Sequence, residues 1–477
     1  MDKVLRLLGM RYATAALMLV AVAALYGAAT FSRPGEASEK GRSAPVTHAV
    51  MVCPGHEGGR VAGQSLSQKG GGRVDTTPTK GGAPLASMTS PGQGWNKDTK
   101  SGEESYTVRA TGAIAAGLEA EQTTHWSGGA DRGLAGARCA TPGTDLWFLS
   151  PGPVGTDQLD LYLTNVDAQP AYVNLTALSG EGPLDTPEGL GTLVQPYTTR
   201  IVKIGDSAEG LGDIVESAAD LALRVRTTSG RVAASLRARI GEKKGVEWLP
   251  QAREPAAAVV VPGVPGGDGQ RRLLVSVPGE ADARIRVQVI TSGGAFAPQG
   301  QDVLDAPGKT VTSVPLTGAL SGKAAAVRLV ADRPILAGFA ADRGADVAYG
   351  TATAPLTASG PGVVADNRFD SSLILTAPSG AATVRIVTVS AAGRSAPKDV
   401  EIPAGRTVQT ELTSPGKDGA SYGAVITPAP GSAPVYASRT LSKGKGDGYL
   451  FTVLPIVPAL TAVHLPDTAD SQTALTP

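Results

Sequence analysis

The chain has 477 residues, of which 43 are basic and 43 acidic, so its formal net charge at pH 7 is zero. This balance provides no long-range attraction to nucleic acid and argues against a nucleic-acid partner. The length exceeds what one hydrophobic core organises, and 42% apolar residues are enough to build several cores despite 61 glycines and 35 prolines, so we expect three or four domains.

The N-terminal segment predicts a single membrane anchor. Residues 12–29, YATAALMLVAVAALYGAA, form an uncharged apolar run that as a helix would span about 27 Å of bilayer. Basic residues before this run predict a cytoplasmic tail at 1–11, a linker at 30–45 and an extracytoplasmic remainder. The alternative is a secreted protein with a cleaved signal peptide, because Gly27 and Ala29 suit a cleavage site.

Cys53 and Cys139 are the two cysteines of the sequence. In an exported chain, an even pair favours a disulfide. Closing a loop of about 87 residues would stabilise the fold by roughly 4 to 5 kcal/mol. The alternative is a tetrahedral zinc site completed by His56 and His125, although the spacing is not that of a zinc finger. We predict the disulfide, with no metal and no cofactor.

The segment 46–142 reads as an incomplete β unit. Its stretch 54–103 is rich in Gly, Ser, Thr, Pro and Lys, and so few apolar side chains do not offset the entropy of ordering. We therefore predict a long low-complexity loop there. A disulfide is the staple expected where a core is short.

From residue 143 onward, runs such as QLDLYLTN and AYVNLTAL alternate apolar and polar residues between turn signals, which is typical of antiparallel strands. The stretch VRTTSGRVAASLRARI, which begins at Val225, has related copies that begin at Val108, Val327 and Val425. Repeats about 100 residues apart are a domain period. We predict that each copy is a late β-hairpin with SGR or its equivalent as the turn.

These repeats predict an all-β protein in which the anchor is followed by tandem immunoglobulin-like or fibronectin-like sandwiches, since each unit holds roughly seven short strands. The expected sandwiches cover 143–255, 256–360 and 361–460, followed by a flexible tail at 461–477. A β-propeller is the structural alternative, although its blades are typically about 40 to 50 residues long.

No catalytic residues are predicted. The string GASYG, residues 419–423, matches a nucleophile pattern but leads into a strand rather than a helix, so a loop serine is the better interpretation. Trp147, in DLWFLS, is a possible ligand contact because an aromatic face can stack on a sugar. Core packing is the competing explanation for this tryptophan.

The apolar run at 12–29, the VCPG at Cys53 and the string GLAGARCATPGTDLWFLSPG from Gly133 to Gly152 resemble an uncharacterised domain-of-unknown-function family. Its members are single-pass, membrane-anchored, exported β-rich proteins of high-GC Gram-positive bacteria. The resemblance implies a location in the cell envelope and brings no activity, cofactor or catalytic residue.

Two functions follow as hypotheses. The first is a non-enzymatic protein of the plasma membrane whose extracytoplasmic part serves as an envelope scaffold or interaction module, binding another envelope protein or a cell-wall polymer. The alternative is a glycan-binding or glycan-active module of the cell wall, to which Trp147 or the 54–103 stretch contributes.

Overall fold

The fold was analysed in a computed structural model, which describes residues 18–24, 42–55, 58–99, 105–241, 245–416 and 421–465. Within the predicted anchor, residues 18–24 are helical, and the rest of 12–29 lies outside the described residues, as does the predicted tail at 1–11. No helix in the described ranges is both long enough and apolar enough to cross a membrane. The anchor therefore stays a prediction.

The described chain is built almost entirely of strands, which confirms the all-β class. Strands β1 to β9 are Arg42–Pro45, His48–Cys53, Gly59–Ser65, Gly72–Pro78, Ala86–Met88, Gly94–Asp98, Tyr106–Gly112, Leu118–Trp126 and Gly133–Arg138. Strands β10 to β19 are Asp145–Pro151, Gln158–Thr164, Ala171–Leu178, Pro183–Leu184, Thr192–Val194, Thr199–Lys203, Asp220–Ser229, Ala233–Arg239, Val246–Leu249 and Gln251–Ala252. Strands β20 to β27 are Ala256–Val264, Arg271–Val277, Ala283–Thr291, Gly294–Phe296, Val303–Ala306, Thr310–Pro315, Ala325–Arg343 and Asp346–Thr351.

The remaining elements complete the chain. Strands β28 to β37 are Gly362–Val364, Asp370–Ala377, Ala382–Ser390, Gly393–Arg394, Lys398–Ile402, Arg406–Leu412, Gly423–Pro428, Tyr436–Lys443, Leu450–Ile456 and Ala462–Leu465. Besides the helical residues 18–24, a short α-helix, here called α1, covers Thr317–Leu320. Single turns of 3-10 helix lie at Ala113–Ala115, Pro153–Gly155, Pro187–Gly189, Ala208–Gly210, Gly212–Val215 and Gly446–Gly448.

The chain divides into two compact units. In the first, residues 1–45 with 462–477, β1 pairs antiparallel with β37. The predicted linker and flexible tail are therefore wrong at these two strands, because each satisfies the backbone hydrogen bonds of the other. The second unit, residues 46–461, contains all the other strands.

The second unit consists of four successive modules, each made of two antiparallel sheets. In the first module the sheet orders are β2-β7-β4-β5 and β6-β3-β8-β9. The second module (β10 to β19), the third (β20 to β27) and the fourth (β28 to β36) repeat this order with small additional edge strands. Apolar residues of both sheets pack into one core in each module. Each module is thus a β-sandwich of the same topology.

This topology corrects the predicted immunoglobulin-like arrangement. The first two strands of an immunoglobulin domain are neighbours in one sheet, whereas here β2 and β3 lie in opposite sheets, as do β10 and β11. The two sheets of each repeat also differ from the single four-stranded sheet of a propeller blade.

The repeated motif is an arch between the two sheets, so the predicted hairpin is wrong. In the second module, β16 pairs with β10 and β12, whereas β17 pairs with β11 and β18. In the third module one continuous strand, β26, serves both sheets. Val225 and Leu236 are fully buried in the same core. A Gly-containing turn permits either connection, so local sequence does not distinguish an arch from a hairpin.

The first module is complete, and the predicted loop at 54–103 is wrong. Four strands, β3 to β6, lie within this stretch. Val61, Val74 and Met88 are buried in its core, and Leu85 and Trp95 pack against it partly buried. Gly63 has no side chain, and a Cβ there would lie 2.6 Å from the indole of Trp95. Small residues therefore let a large ring cover the strand, so this core needs few apolar side chains.

Candidate functional site

The four modules meet at one edge strand from each, namely β9, β18, β27 and β36. Each is an edge strand of its sheet. β9 contacts β18 and β36, and β27 contacts the same two strands, so the four strands surround a common junction. The close approach of β9 to β36 depends on a glycine, because a Cβ at Gly136 would lie 2.8 Å from the side chain of Leu454. The junction covers strand edges that would otherwise be exposed.

Two buried carboxyl groups bind the modules together at this junction. Asp346 of β27 accepts a hydrogen bond from the backbone amide of Phe451 at 2.8 Å, and Glu247 of β18 accepts one from that of Gly136 at 3.0 Å. Burial raises the pKa of Asp346 to about 8 and raises the pKa of Glu247 well above its ordinary value. Asp346 is therefore mainly uncharged at neutral pH, and burial favours the uncharged form of Glu247 as well.

The raised pKa of Asp346 makes the stability of the junction depend on pH. Its stabilising contribution is fully present below the ordinary pKa of 3.8 and is lost as the pH rises through about 8. We expect the stability of the Asp346→Asn variant to rise relative to that of the wild type by on the order of 5 kcal/mol between pH 4 and pH 8. Urea unfolding across this range measures the difference.

The exposed Asp305→Asn variant is the matched control, because this carboxyl lies on β24, outside the junction. The free energy of unfolding of Asp346→Asn, relative to that of the wild type, should increase with pH. A difference that stays constant or decreases as the pH rises would contradict the raised pKa of Asp346.

A buried ion pair joins the first module to the fourth. Arg439 of β35 donates through Nη2 to Glu121 Oε2 of β8 at 2.8 Å, and its side chain is fully buried. Glu121 also accepts from the backbone amides of Ala365 at 3.0 Å and Asp366 at 3.2 Å. Arg439 Nη1 donates to the Asp366 carbonyl and to Asn367 Oδ1. These contacts join the first module directly to the fourth.

The outer face of the sheet β33-β29-β35-β36 forms the floor of a surface groove, here called the module-4 groove. Its volume is about 800 Å³, and it continues into a neighbouring cavity of about 390 Å³ that shares Gln409, Thr440 and Tyr449. Ser372 lies opposite Glu411 on one side and opposite Thr440 on the other. The floor is therefore a row of hydrogen-bonding side chains in register across three strands.

The walls of the module-4 groove are cationic and aromatic. Four basic residues and two acidic residues line the groove and its extension, namely Lys323, Arg343, Arg368, Lys443, Asp370 and Glu411. The Arg343 guanidinium lies 4.2 Å from the ring centroid of Tyr449, and Lys443 lies 5.6 Å from that of Phe369. Arg368 is paired with Asp366 at 3.4 Å and Asp98 at 3.9 Å, which leaves three basic groups against two acidic ones. This small excess of positive charge, centred on the extension, favours an anionic ligand. The hydroxyl and amide side chains of the floor suit one rich in hydroxyl groups.

The groove floor also contains the buried hydroxyl of Thr440. Its side chain is buried, and within the part of the chain that the structure describes its hydroxyl has no hydrogen-bond partner. Buried hydroxyls in folded proteins are normally paired.

The predicted Cys53–Cys139 disulfide is present and lies fully buried in the core of the first module. The zinc alternative is therefore wrong, because zinc needs free thiolates. His125 packs instead near Phe369, with ring centroids 5.9 Å apart, and His56 lies outside the described residues.

Trp147 lies on β10 in the second module and is only 7% exposed. The Arg224 guanidinium lies 5.0 Å from its ring centroid and forms an ion pair with Asp145. This environment favours core packing, and ligand contact by Trp147 stays a prediction.

Sequence reasoning missed the groove, the junction carboxyls and the ion pair of Arg439. The strands RTVQTEL and YASRTLSK carry the groove residues in their alternating polar positions. That alternation indicates a solvent-facing side without showing that the side is concave. Glu121 lies in the largely polar strand LEAEQTTHW, so the sequence gives no sign that it is buried. The strand that covers it is more than 200 residues away in sequence.

The shared topology, the common junction and the groove define a class of protein with four tandem two-sheet modules. The chain belongs to the family of unknown function DUF5719, whose family model matches residues 95–413. This confirms the predicted membership of a domain-of-unknown-function family. The single-pass anchor and the high-GC Gram-positive source stay predictions.

Two solved structures are distantly similar. The crystal structure of Thermotoga maritima 1070 is 13% identical, with 22% of this chain and 99% of that chain covered and a TM-score of 0.19. A tetra-tandem repeat from the extending region of a large adhesion protein is 12% identical, with 86% and 100% covered and a TM-score of 0.10. Neither likeness defines the fold or the function. No curated protein matches the chain.

Proposed function

We propose that this chain is a non-enzymatic, membrane-anchored protein of the cell envelope whose extracytoplasmic modules bind an anionic wall polysaccharide. The module-4 groove is the observation that carries the proposal. Its length over two joined cavities suits an extended polymer, and its basic and hydroxyl-rich lining suits anionic sugars.

The buried disulfide supports export. Disulfides form and persist in oxidising compartments and are rare in the cytosol. The Cys53–Cys139 bond therefore fits an extracytoplasmic location for the first module. The apolar run at 12–29 supplies the proposed attachment to the plasma membrane.

The groove makes a charge-dependent prediction. The exposed side chain of Lys443 lines the groove, and Lys443→Gln is expected to weaken retention of the full chain on an anionic wall polysaccharide by about threefold or more, because one attractive charge is removed. Cosedimentation with purified polymer measures this. Retention should also fall as salt is raised, since salt screens surface charges.

The matched control is Arg394→Gln, which removes an exposed charge from the other sheet of the same module. Its retention should equal that of the wild type. Equal losses in the two variants, or equal retention on a neutral glucan, would contradict binding in the groove.

A further inference from the structure

A separate cavity of about 250 Å³ lies at one end of the central junction, and we call it the junction cavity. All four modules line it, through Arg138 of the first, Trp248 and Arg253 of the second, Thr353 of the third and Pro455 of the fourth. Its volume is below the roughly 300 to 1,000 Å³ of drug-sized ligand sites. The cavity is therefore matched to a small molecule.

The junction cavity is positively charged. Two arginines and no acidic residue belong to its lining. Arg138 is neutralised by Glu119, to which it donates two hydrogen bonds of 2.7 Å. Arg253 is exposed and donates through Nη1 to the Thr353 carbonyl at 3.3 Å, and among the described residues it forms no ion pair. One uncompensated guanidinium thus stands at the cavity, with donors that match a carboxylate.

The inner wall of the junction cavity is apolar. Phe148, Trp248 and Leu249 line the cavity and are buried, so the part of a ligand that lies against them must be apolar. Thr353 is only 1% exposed, and its hydroxyl has no partner among the described residues. A buried hydroxyl without a partner destabilises a protein. A bound acceptor would satisfy it.

We infer that the junction cavity binds a small amphipathic monocarboxylate. The carboxylate pairs with the Arg253 guanidinium and accepts a hydrogen bond from the Thr353 hydroxyl, and the apolar body packs against Trp248 and Phe148. Because the ligand touches residues of several modules, its binding stabilises the junction as a whole. This site is independent of the polysaccharide groove on the fourth module.

The test is calorimetric titration of the full chain with sodium phenylacetate. We expect a saturable site with a Kd of about 1 mM or tighter. Phenylacetamide, which has the same shape without the charge, should bind at least about tenfold more weakly. Inorganic phosphate, which lacks an apolar body, should also bind more weakly. Equal binding of either compound, or no saturable binding of phenylacetate, would overturn the inference.

Two variants locate the site. Arg253→Gln should weaken phenylacetate binding by about tenfold, whereas Arg284→Gln, which removes an exposed charge on β22, should leave it unchanged. Thr353→Val should weaken binding and at the same time raise or preserve the Tm of the ligand-free protein, because it removes an unpaired buried hydroxyl. Binding that survives Arg253→Gln would overturn the assignment, even if Thr353→Val failed to fold.

Discussion

Replacing both Cys53 and Cys139 by alanine is expected to destabilise the first module by about 4 kcal/mol, because the disulfide closes a loop across a sequence separation of 86. The cross-link limits the conformations of the unfolded chain, and its two sulfurs also fill the core between the sheets. Hydrogen exchange of peptides from β2 to β9 measures the local free energy of opening.

Hydrogen exchange in the outer strands of the third module, such as β24, is the internal control, because these strands pack on a different core and should keep their protection. Reduction of the wild-type protein should reproduce the loss seen in the double variant. A loss below about 1 kcal/mol would show that the disulfide contributes little to this module.

Arg439→Met is expected to lower the free energy of unfolding by about 3 to 5 kcal/mol, because it leaves the Glu121 carboxylate buried without its charged partner. The loss should appear as separation of the first module from the fourth, since the pair lies between them. Limited proteolysis and hydrogen exchange of β8 and β35 report this separation.

The double variant Glu121→Gln with Arg439→Met separates the pair's charge from its packing. With both charges absent, we expect it to recover at least about half of the stability lost in Arg439→Met. Additive losses in the double variant would mean that the two residues do not act as a pair.

The strands of the later modules were predictable because apolar and polar side chains alternate along them, as in RVQVIT, and this alternation indicates a strand with one buried face. The repeat of the motif near Val225 also gave the correct period. Its role as an arch was not predictable, since the choice of sheet is decided by partners elsewhere in the chain. The composition of 54–103 was misleading because Gly63 lies opposite Trp95 of the paired strand β6, and the indole covers the space that a side chain at Gly63 would fill.

The disulfide was predictable from cysteine count and compartment, but the groove and the junction cavity were not. Ser372, Glu411 and Thr440 belong to three strands of one sheet, and only the pairing register brings them into one row. Arg253 and Thr353 come from different modules. Nothing local in either segment indicates the other, because their contact depends on how the modules meet.

Photocrosslinking in living cells tests the proposed function most directly. A benzophenone side chain placed at the exposed groove residue Gln409 of the full chain should become covalently attached to an acidic wall polysaccharide on illumination. The same group at Arg394, on the other sheet of that module, should not. Polysaccharide adducts at Gln409 alone are the result the account predicts; no adduct at Gln409, adducts with protein only, or equal labelling at both positions would contradict it.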